Sequence, residues 1–194
     1  AVLSRESSFL FNNVILLASC FAILWGTLFP VLSEAVTGEK ISVGPLFFNK
    51  VNIPIGLLLL ALTGLGPLFS WRKTSAASLR KNFLGPSIFG LVVGAVLFAL
   101  GIRGLYPLMT FILSAFVTAT VAMEFYRGAT VIAKKQSMAF ASAIIELTHR
   151  NTRRYGGYLV HVGVAIMAIA IVATSIYQEQ VRAVVAPGQT FEAG

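Results

Sequence analysis

The stretch RRYGGYLVHVGVAIMAIAIVATSIY, residues 153–177, decides the fold. Two arginines, a tyrosine and two glycines lead into a run that carries no charged side chain from Gly157 onward. About 20 such residues in helix cross the hydrocarbon of a bilayer, so 157–177 reads as a membrane span. The run also contains His161, close to its basic end, where an unpartnered imidazole is expensive.

Four further apolar runs, at about 13–32, 51–70, 86–102 and 106–126, have a similar length and character. The third is the shortest and carries Gly90, Gly94 and Gly101, which predicts close packing on a neighbouring helix. Pro54, Pro86 and Pro107 are expected near helix starts and Pro30 and Pro67 near helix ends, where a missing backbone donor does least harm. Apolar residues make up 57% of the chain and charged residues only 11%, with 17 glycines, which excludes an ordinary soluble domain. The mean hydropathy of +0.83 agrees. The fold class is therefore an all-α integral membrane protein with about five transmembrane helices.

A net charge of +8 would fit a nucleic-acid binder, but the basic residues lie between the spans and report topology instead. Arg5, the loop residues Arg72, Lys73, Arg80 and Lys81, and the group Arg127, Lys134, Lys135, Arg150, Arg153 and Arg154 share one side. Only Lys40, Lys50, Arg103 and Arg182 fall on the other. The positive-inside rule then places the N-terminus in the cytoplasm and the C-terminus in the periplasm. On this reading 33–50 is a periplasmic loop, 127–155 a basic cytoplasmic segment, and 178–194 the start of a periplasmic segment.

Within the basic segment, residues 137–150 alternate as an amphipathic helix. Met138, Ala141, Ile144, Ile145 and Leu147 lie on one side and Glu146, His149 and Arg150 on the other, as expected of a helix along the membrane surface. His149 reads as a solvated side chain. In the outer loop, Leu46, Phe47 and Phe48 are too apolar for free exposure, so the loop is expected to re-enter the membrane surface or to pack on a partner. VGPLFF (43–48) and LGPLFS (65–70) look alike, but one short match makes no repeat.

Cys20, the single cysteine, has no partner for a disulfide or zinc site and reads as a small buried hydrophobe. The absence of an initial methionine and the abrupt polar end lead us to expect a cut from a longer protein, a naturally split subunit or a partial chain. No nucleophile with a base, paired carboxylates, phosphate loop or CxxC is present. Glu124 has Arg127 three residues on, which predicts an interfacial ion pair, with a proton-relay role as the alternative.

That leaves His161. Its helical neighbours Gly157, Val164, Ala165, Ala168 and Val172 form a narrow face of small residues. Such a face admits either a second helix or a flat macrocycle whose iron takes the imidazole nitrogen. An interhelical hydrogen bond, a haem ligand and a proton path all remain open on these residues alone. Six-coordinate ligation by two histidines needs a second histidine from elsewhere, because His149 is badly placed.

The chain resembles the cytochrome c maturation family CcmF. The resemblance rests on residues 12–73, NNVILLASCFAILWGTLFPVLSEAVTGEKISVGPLFFNKVNIPIGLLLLALTGLGPLFSWRK, followed by RRYGGYLVHVG at 153–163. The elements GTLFP, SVGPLFFN, GPLFSW and RRYGGYLVHVG run in order and cover the chain from Ser4 to Gly188 or so. Members of this family are much longer, and the match covers the middle-to-late part of one. The resemblance implies a multi-span haem lyase of the bacterial inner membrane, or of the mitochondrial inner membrane in plant-type split versions. It implies that haem arrives from the periplasmic chaperone CcmE and is joined to the two CxxCH thiols of apocytochrome c, with thioredoxin-like CcmH as a partner.

It further implies a b-type haem in the membrane, haem b, reduced by quinol, with His161 as one axial ligand and Gly157, Ala165 and Ala168 beside it. Ser42, Val43, Gly44, Pro45, Phe47, Phe48 and Asn49 would shape the surface where substrate haem is presented, the alternative being a tight loop capping the second span. The family's tryptophan-rich WWD segment, its periplasmic histidines and its first transmembrane histidine are not among these residues, so no catalytic residue is assigned here. A quinol-oxidising membrane anchor and a haem-free transporter or scaffold are the competing functions. Membrane lipid is an expected partner and nucleic acid is not.

Overall fold

A computed structural model describes residues 5–68 and 76–177. Arg72, Lys73, Arg182 and the segment 178–194 lie outside the described residues. The described residues form six α-helices and one 3-10 turn: α1 (Arg5–Thr37), α2 (Pro45–Leu65), the 3-10 turn Gly66–Leu68, α3 (Ala76–Ala99), α4 (Leu105–Gln136), α5 (Phe140–Arg150) and α6 (Thr152–Tyr177). Five of them, all but α5, are long and apolar enough to cross a membrane. The chain is a multi-pass membrane protein.

The helices outrun the apolar stretches. Pro30, Pro54 and Pro86 lie inside α1, α2 and α3, not at helix limits as expected. In hydrocarbon an interrupted helix would leave backbone groups with no water to bond, so the helix continues through a proline. Pro107 falls in the first turn of α4 and Pro67 in the 3-10 turn, as anticipated. The two GPL segments have opposite uses: Gly44 precedes α2, whose first residue is Pro45, while Gly66–Leu68 closes the same helix.

Helix α4 is the centre of the bundle, with α2, α3, α5 and α6 packed around it. Ser114, Val117 and Thr120 on α4 are fully buried. Their small size lets neighbours come close, and the hydroxyls of Ser114 and Thr120 cost little because both are hydrogen-bonded. Thr110, Thr118, Thr120 and Thr130 each donate to the carbonyl four residues back, at 2.7–2.9 Å. Ser114 Oγ lies 3.4 Å from the Ala165 carbonyl on α6 and donates to it.

Helix α3 approaches α4 through Gly90 and Gly94, both against Ile112, as the glycine pattern predicted. A Cβ at Gly90 would stand 2.8 Å from the Ile112 carbonyl oxygen. Gly101 does something else. It has φ of +105° and ends α3, with Gly101 N–H bonding Phe98 O at 3.1 Å and Ile102 N–H bonding Leu97 O at 3.0 Å. That paired closure needs a residue tolerant of positive φ.

The chain from 127 to 155 is helical apart from tight turns. α5 packs on α4 and α6, and its buried face is centred on Ala143 and Leu147, with Met138 and Ile144 partly buried against the same cluster. Ile145, expected on the apolar side, is 63% exposed, and Ala141 is exposed too. The spacing of four between residues 143 and 147 sets the contact face, and Ile145 falls away from it. His149 is exposed, in keeping with the solvated reading.

Helix α1 packs on α2. Cys20 is consequently exposed along it, which corrects the buried reading. Arg127 Nη1 donates to Asn82 Oδ1 at 2.8 Å, so the start of α3 and the late part of α4 share one end of the bundle.

The Gly90 contact gives a test. Gly90→Ala should lower stability in detergent by about 1–3 kcal/mol, because the clash is with backbone and only a shift of α3 relieves it. Gly156→Ala, where an added Cβ meets nothing within 4 Å, should be neutral or stabilising by up to about 1 kcal/mol. Thermal unfolding of the two variants in micelles compares them directly.

Candidate functional site

Two regions carry the residues singled out from the sequence, one at each end of the bundle. The first is the start of α6. Asn151 O accepts from Arg154 N–H and Tyr155 N–H, both at 3.0 Å, and so opens the helix. From there Arg154, Tyr158, His161 and Ala165 follow at spacings of four, three and four, which puts them on one helix face.

Arg154 Nη2 makes a 2.6 Å ion pair with Glu124 Oε2 on α4. Arg154 Nε also donates to Tyr158 Oη at 2.9 Å, and Tyr158 O–H donates to Glu124 Oε2 at 3.5 Å. The guanidinium lies over the rings of Tyr155 and Tyr158, 5.7 and 5.6 Å from their centroids. The Glu124 side chain is only 14% exposed, so this closed set of partners is what makes its charge tolerable there. The interfacial ion pair expected for Glu124 therefore forms with Arg154, not Arg127. Three residues along one helix gave proximity, but Arg127 turns to Asn82 on α3 instead.

The Tyr158 ring stands 6.5 Å from the His161 ring, centroid to centroid. The Nδ1 atom of His161 is buried and has no hydrogen-bond partner. Leaving such a group unsatisfied costs about 1–3 kcal/mol, so the ring calls for a partner. An iron-bound imidazole commits one nitrogen to the metal and the other to an acceptor. No group of three or more His, Cys, Asp or Glu residues that could hold a metal ion occurs among the described residues. What the described residues offer here is a single imidazole on α6 with one buried nitrogen whose hydrogen-bonding capacity is unmet.

The predicted face of small residues divides into three parts. Gly157 faces open space, where an added Cβ would meet nothing within 4 Å. Ala165 is 0% exposed and packs with Leu60 of α2 and Val117 of α4, so at that point the small side chain admits a helix. Val164, Ala168 and Val172 line a cavity of about 500 Å³ shared with Asn52, Gly56, Leu60 and Thr63 of α2. The face is also not free of bulk: Tyr158, three residues before His161, is buried on it. The run of small neighbours that begins at Gly157 omits positions 154 and 158, although the same spacing rule reaches both.

The second region is the turn between α1 and α2, shorter than the expected 33–50 because α1 runs to Thr37 and α2 begins at Pro45. Ser33 Oγ donates to Pro30 O at 2.9 Å and accepts Ile41 N–H at 3.0 Å, which ties the turn to the end of α1. Gly38, with φ of +76°, makes the reversal. Ser42, Gly44, Pro45 and Asn49 are exposed and Val43 is half-buried. Phe47 and Phe48 belong to the first turn of α2, with rings 5.5 Å apart, and both lie on Gly26 of α1, where a Cβ would stand 2.8 and 2.9 Å from them. The two phenylalanines thus lock α1 to α2, whereas Leu46 is 83% exposed.

No protein-family profile and no solved structure matches the chain. Curated proteins do. It is 35% identical to the cytochrome c-type biogenesis protein CcmF of Pseudomonas aeruginosa, over 100% of this chain and 28% of that protein. The CcmF of Pseudomonas fluorescens is 31% identical over 97% of this chain and 27% of its own length. The cytochrome c-type biogenesis protein CycK of Bradyrhizobium diazoefficiens is 28% identical over 93% of this chain and 27% of its own. The chain is homologous over its full length to the CcmF and CycK proteins of cytochrome c biogenesis and corresponds to about 28% of their length.

The Ala165 contact yields a prediction. Ala165→Leu should destabilise the bundle by about 1–3 kcal/mol through overpacking between α4 and α6, whereas Val164→Leu should be tolerated. Thermal midpoints in micelles decide. Equal tolerance at both positions would mean that Ala165 does not hold the helices together.

Proposed function

We propose that this member of the CcmF and CycK relatives forms the part of a membrane haem lyase that supplies one axial ligand, His161, to a b-type haem. The observation that carries the reading is the buried, unpartnered Nδ1 of His161 within RRYGGYLVHVG. A ring on a transmembrane helix with an unmet nitrogen, and with space beside Gly157, suits a ligand better than a core histidine. The second ligand comes from elsewhere in the assembled lyase.

When bound, such a haem carries electrons, and the proposed role is to keep the iron of the substrate haem ferrous, with quinol as reductant. The lyase would take haem from the chaperone CcmE and attach its vinyl groups to the CxxCH thiols of apocytochrome c, with thioredoxin-like CcmH as a partner. Residues of this segment hold and orient; none is assigned to thioether formation.

The proposed orientation has the N-terminus in the cytoplasm and the C-terminus in the periplasm of a bacterial inner membrane. Supporting it, the Arg127–Asn82 and Arg154–Glu124 contacts gather the start of α3, the late part of α4 and the start of α6 at one end, with Arg80, Lys81, Lys134, Lys135 and Arg153 nearby in sequence. The turn carrying Ser42, Gly44, Pro45, Phe47, Phe48 and Asn49 then belongs to the periplasmic face, where substrate haem is presented.

His161→Ala should abolish or strongly weaken the low-spin b-type spectrum of the purified intact lyase. Unchanged haem content in that variant would sink the ligand assignment. At the other face, Leu46→Ser should lower the substrate haem that co-purifies, while leaving the b-type spectrum intact. Wild-type retention would reduce that turn to a helix cap.

A further inference from the structure

The interfacial cluster does more than anchor α6. Glu124 and Arg154 form a 2.6 Å ion pair, both groups touch Tyr158 Oη, and the Tyr158 ring faces the His161 ring at 6.5 Å. A full negative and a full positive charge thus sit about two turns from the imidazole, the carboxylate largely shielded from water and the arginine side chain about half exposed. Ligation by His161 by itself requires neither charge. Glu124 is on a different helix, and Tyr158 could pack as well without its hydroxyl.

We propose that the Glu124–Arg154 pair, held by Tyr158, is an electrostatic trim on the haem ligated by His161: the two charges offset one another and fix its reduction potential. The inference rests on the ligand reading of His161. An oxidised haem carries one more positive charge than a reduced one, so a nearby carboxylate stabilises the oxidised form and a nearby guanidinium the reduced form. Removing one member of the pair unmasks the other. Glu124 and Arg154 are positioning residues in this role, since they act on the haem through space and not by contact.

The signs separate this role from a merely structural one. Glu124→Gln leaves Arg154 uncompensated and should raise the potential of the b haem. Arg154→Gln leaves Glu124 uncompensated and should lower it. The double variant should return close to the wild-type value, and Arg154→Lys, which keeps the charge, should stay there too. A structural clamp would instead lower haem content or stability in both single variants, with no opposed shifts.

The experiment is a spectroelectrochemical titration of the b haem in the intact purified lyase carrying each variant, with the low-spin spectrum as a check that ligation survives. Opposed shifts with recovery in the double variant support the trim. Potentials that do not move, or move the same way in both single variants, overturn it. Should Arg154→Gln fail to assemble, Glu124→Gln and Arg154→Lys still decide: the first must raise the potential and the second must not. His161→Ala is measured alongside. Loss of the b-type spectrum there, with unmoved potentials in the charge variants, sinks only the trim, whereas retention of the spectrum sinks the ligand reading and the trim with it.

Discussion

The seam between α4 and α6 is the constraint on which the rest of the bundle depends. At its middle, Ala165 is small enough for α6 to reach Val117, and Ser114 bonds the Ala165 carbonyl across the gap. At its end, Glu124 and Arg154 pair, and the ring of Tyr155 lies 4.9 Å from that of Phe125. Contacts at two separated heights fix both the distance between the helices and the rotation of α6 about its own axis. The rotation is what matters for His161, because turning α6 by one residue would carry the ring to another face.

The same seam organises α5. Gly128 of α4 faces Tyr155 of α6 and Leu147 of α5, and a Cβ there would stand 2.6 and 2.7 Å from them. Three helices therefore meet over one missing side chain. α5, which by composition resembles a surface helix, is drawn into the bundle because Ala143 and Leu147 complete this junction. α2 meets α4 through Leu60 and through Gly64, which lies against Phe116 and Val117, and α3 meets it through Gly90 and Gly94. α1 is held chiefly by α2, where Phe47 and Phe48 lie on Gly26 and Ser19 Oγ donates to Asn52 Oδ1 at 3.4 Å.

Span number and helix type are legible because apolar length is a local property of sequence. Helix limits are not, since proline and polar residues that end helices in water do not do so in a bilayer, as Pro30, Pro54 and Pro86 illustrate. His161 stands out because a polar ring in an apolar run is visible by inspection. Its setting is only half legible. Tyr158 and Arg154 sit at helical spacing from it and are within reach of the same rule, but the choice of Glu124 for Arg154 and of Asn82 for Arg127 depends on how α3, α4 and α6 pack. No spacing along one helix contains that information. The exposure of Cys20 escapes the sequence for the same reason, because the burial of a residue on an apolar helix depends on which faces find partners.

The division between a rigid seam and a lightly held helix has a functional logic. A redox ligand must not wander, since ligation geometry and local charge both set its properties, and sites on well-packed elements hold position best. In the role proposed for it, His161 would have that need met, since its helix is fixed to α4 above and below the ring. The turn after α1 faces the opposite demand. In the proposed role, a surface that receives a large cofactor would benefit from freedom to adjust, and among the described residues the turn joins α2 to a helix that packs chiefly on α2. Gly38 and Ser33 keep the turn closed without anchoring it to the α4 core. With α4 buried among four neighbours and α1 leaning on α2, the proposed function would place the haem ligand on the stiff part of the bundle and the haem-receiving turn on the compliant part.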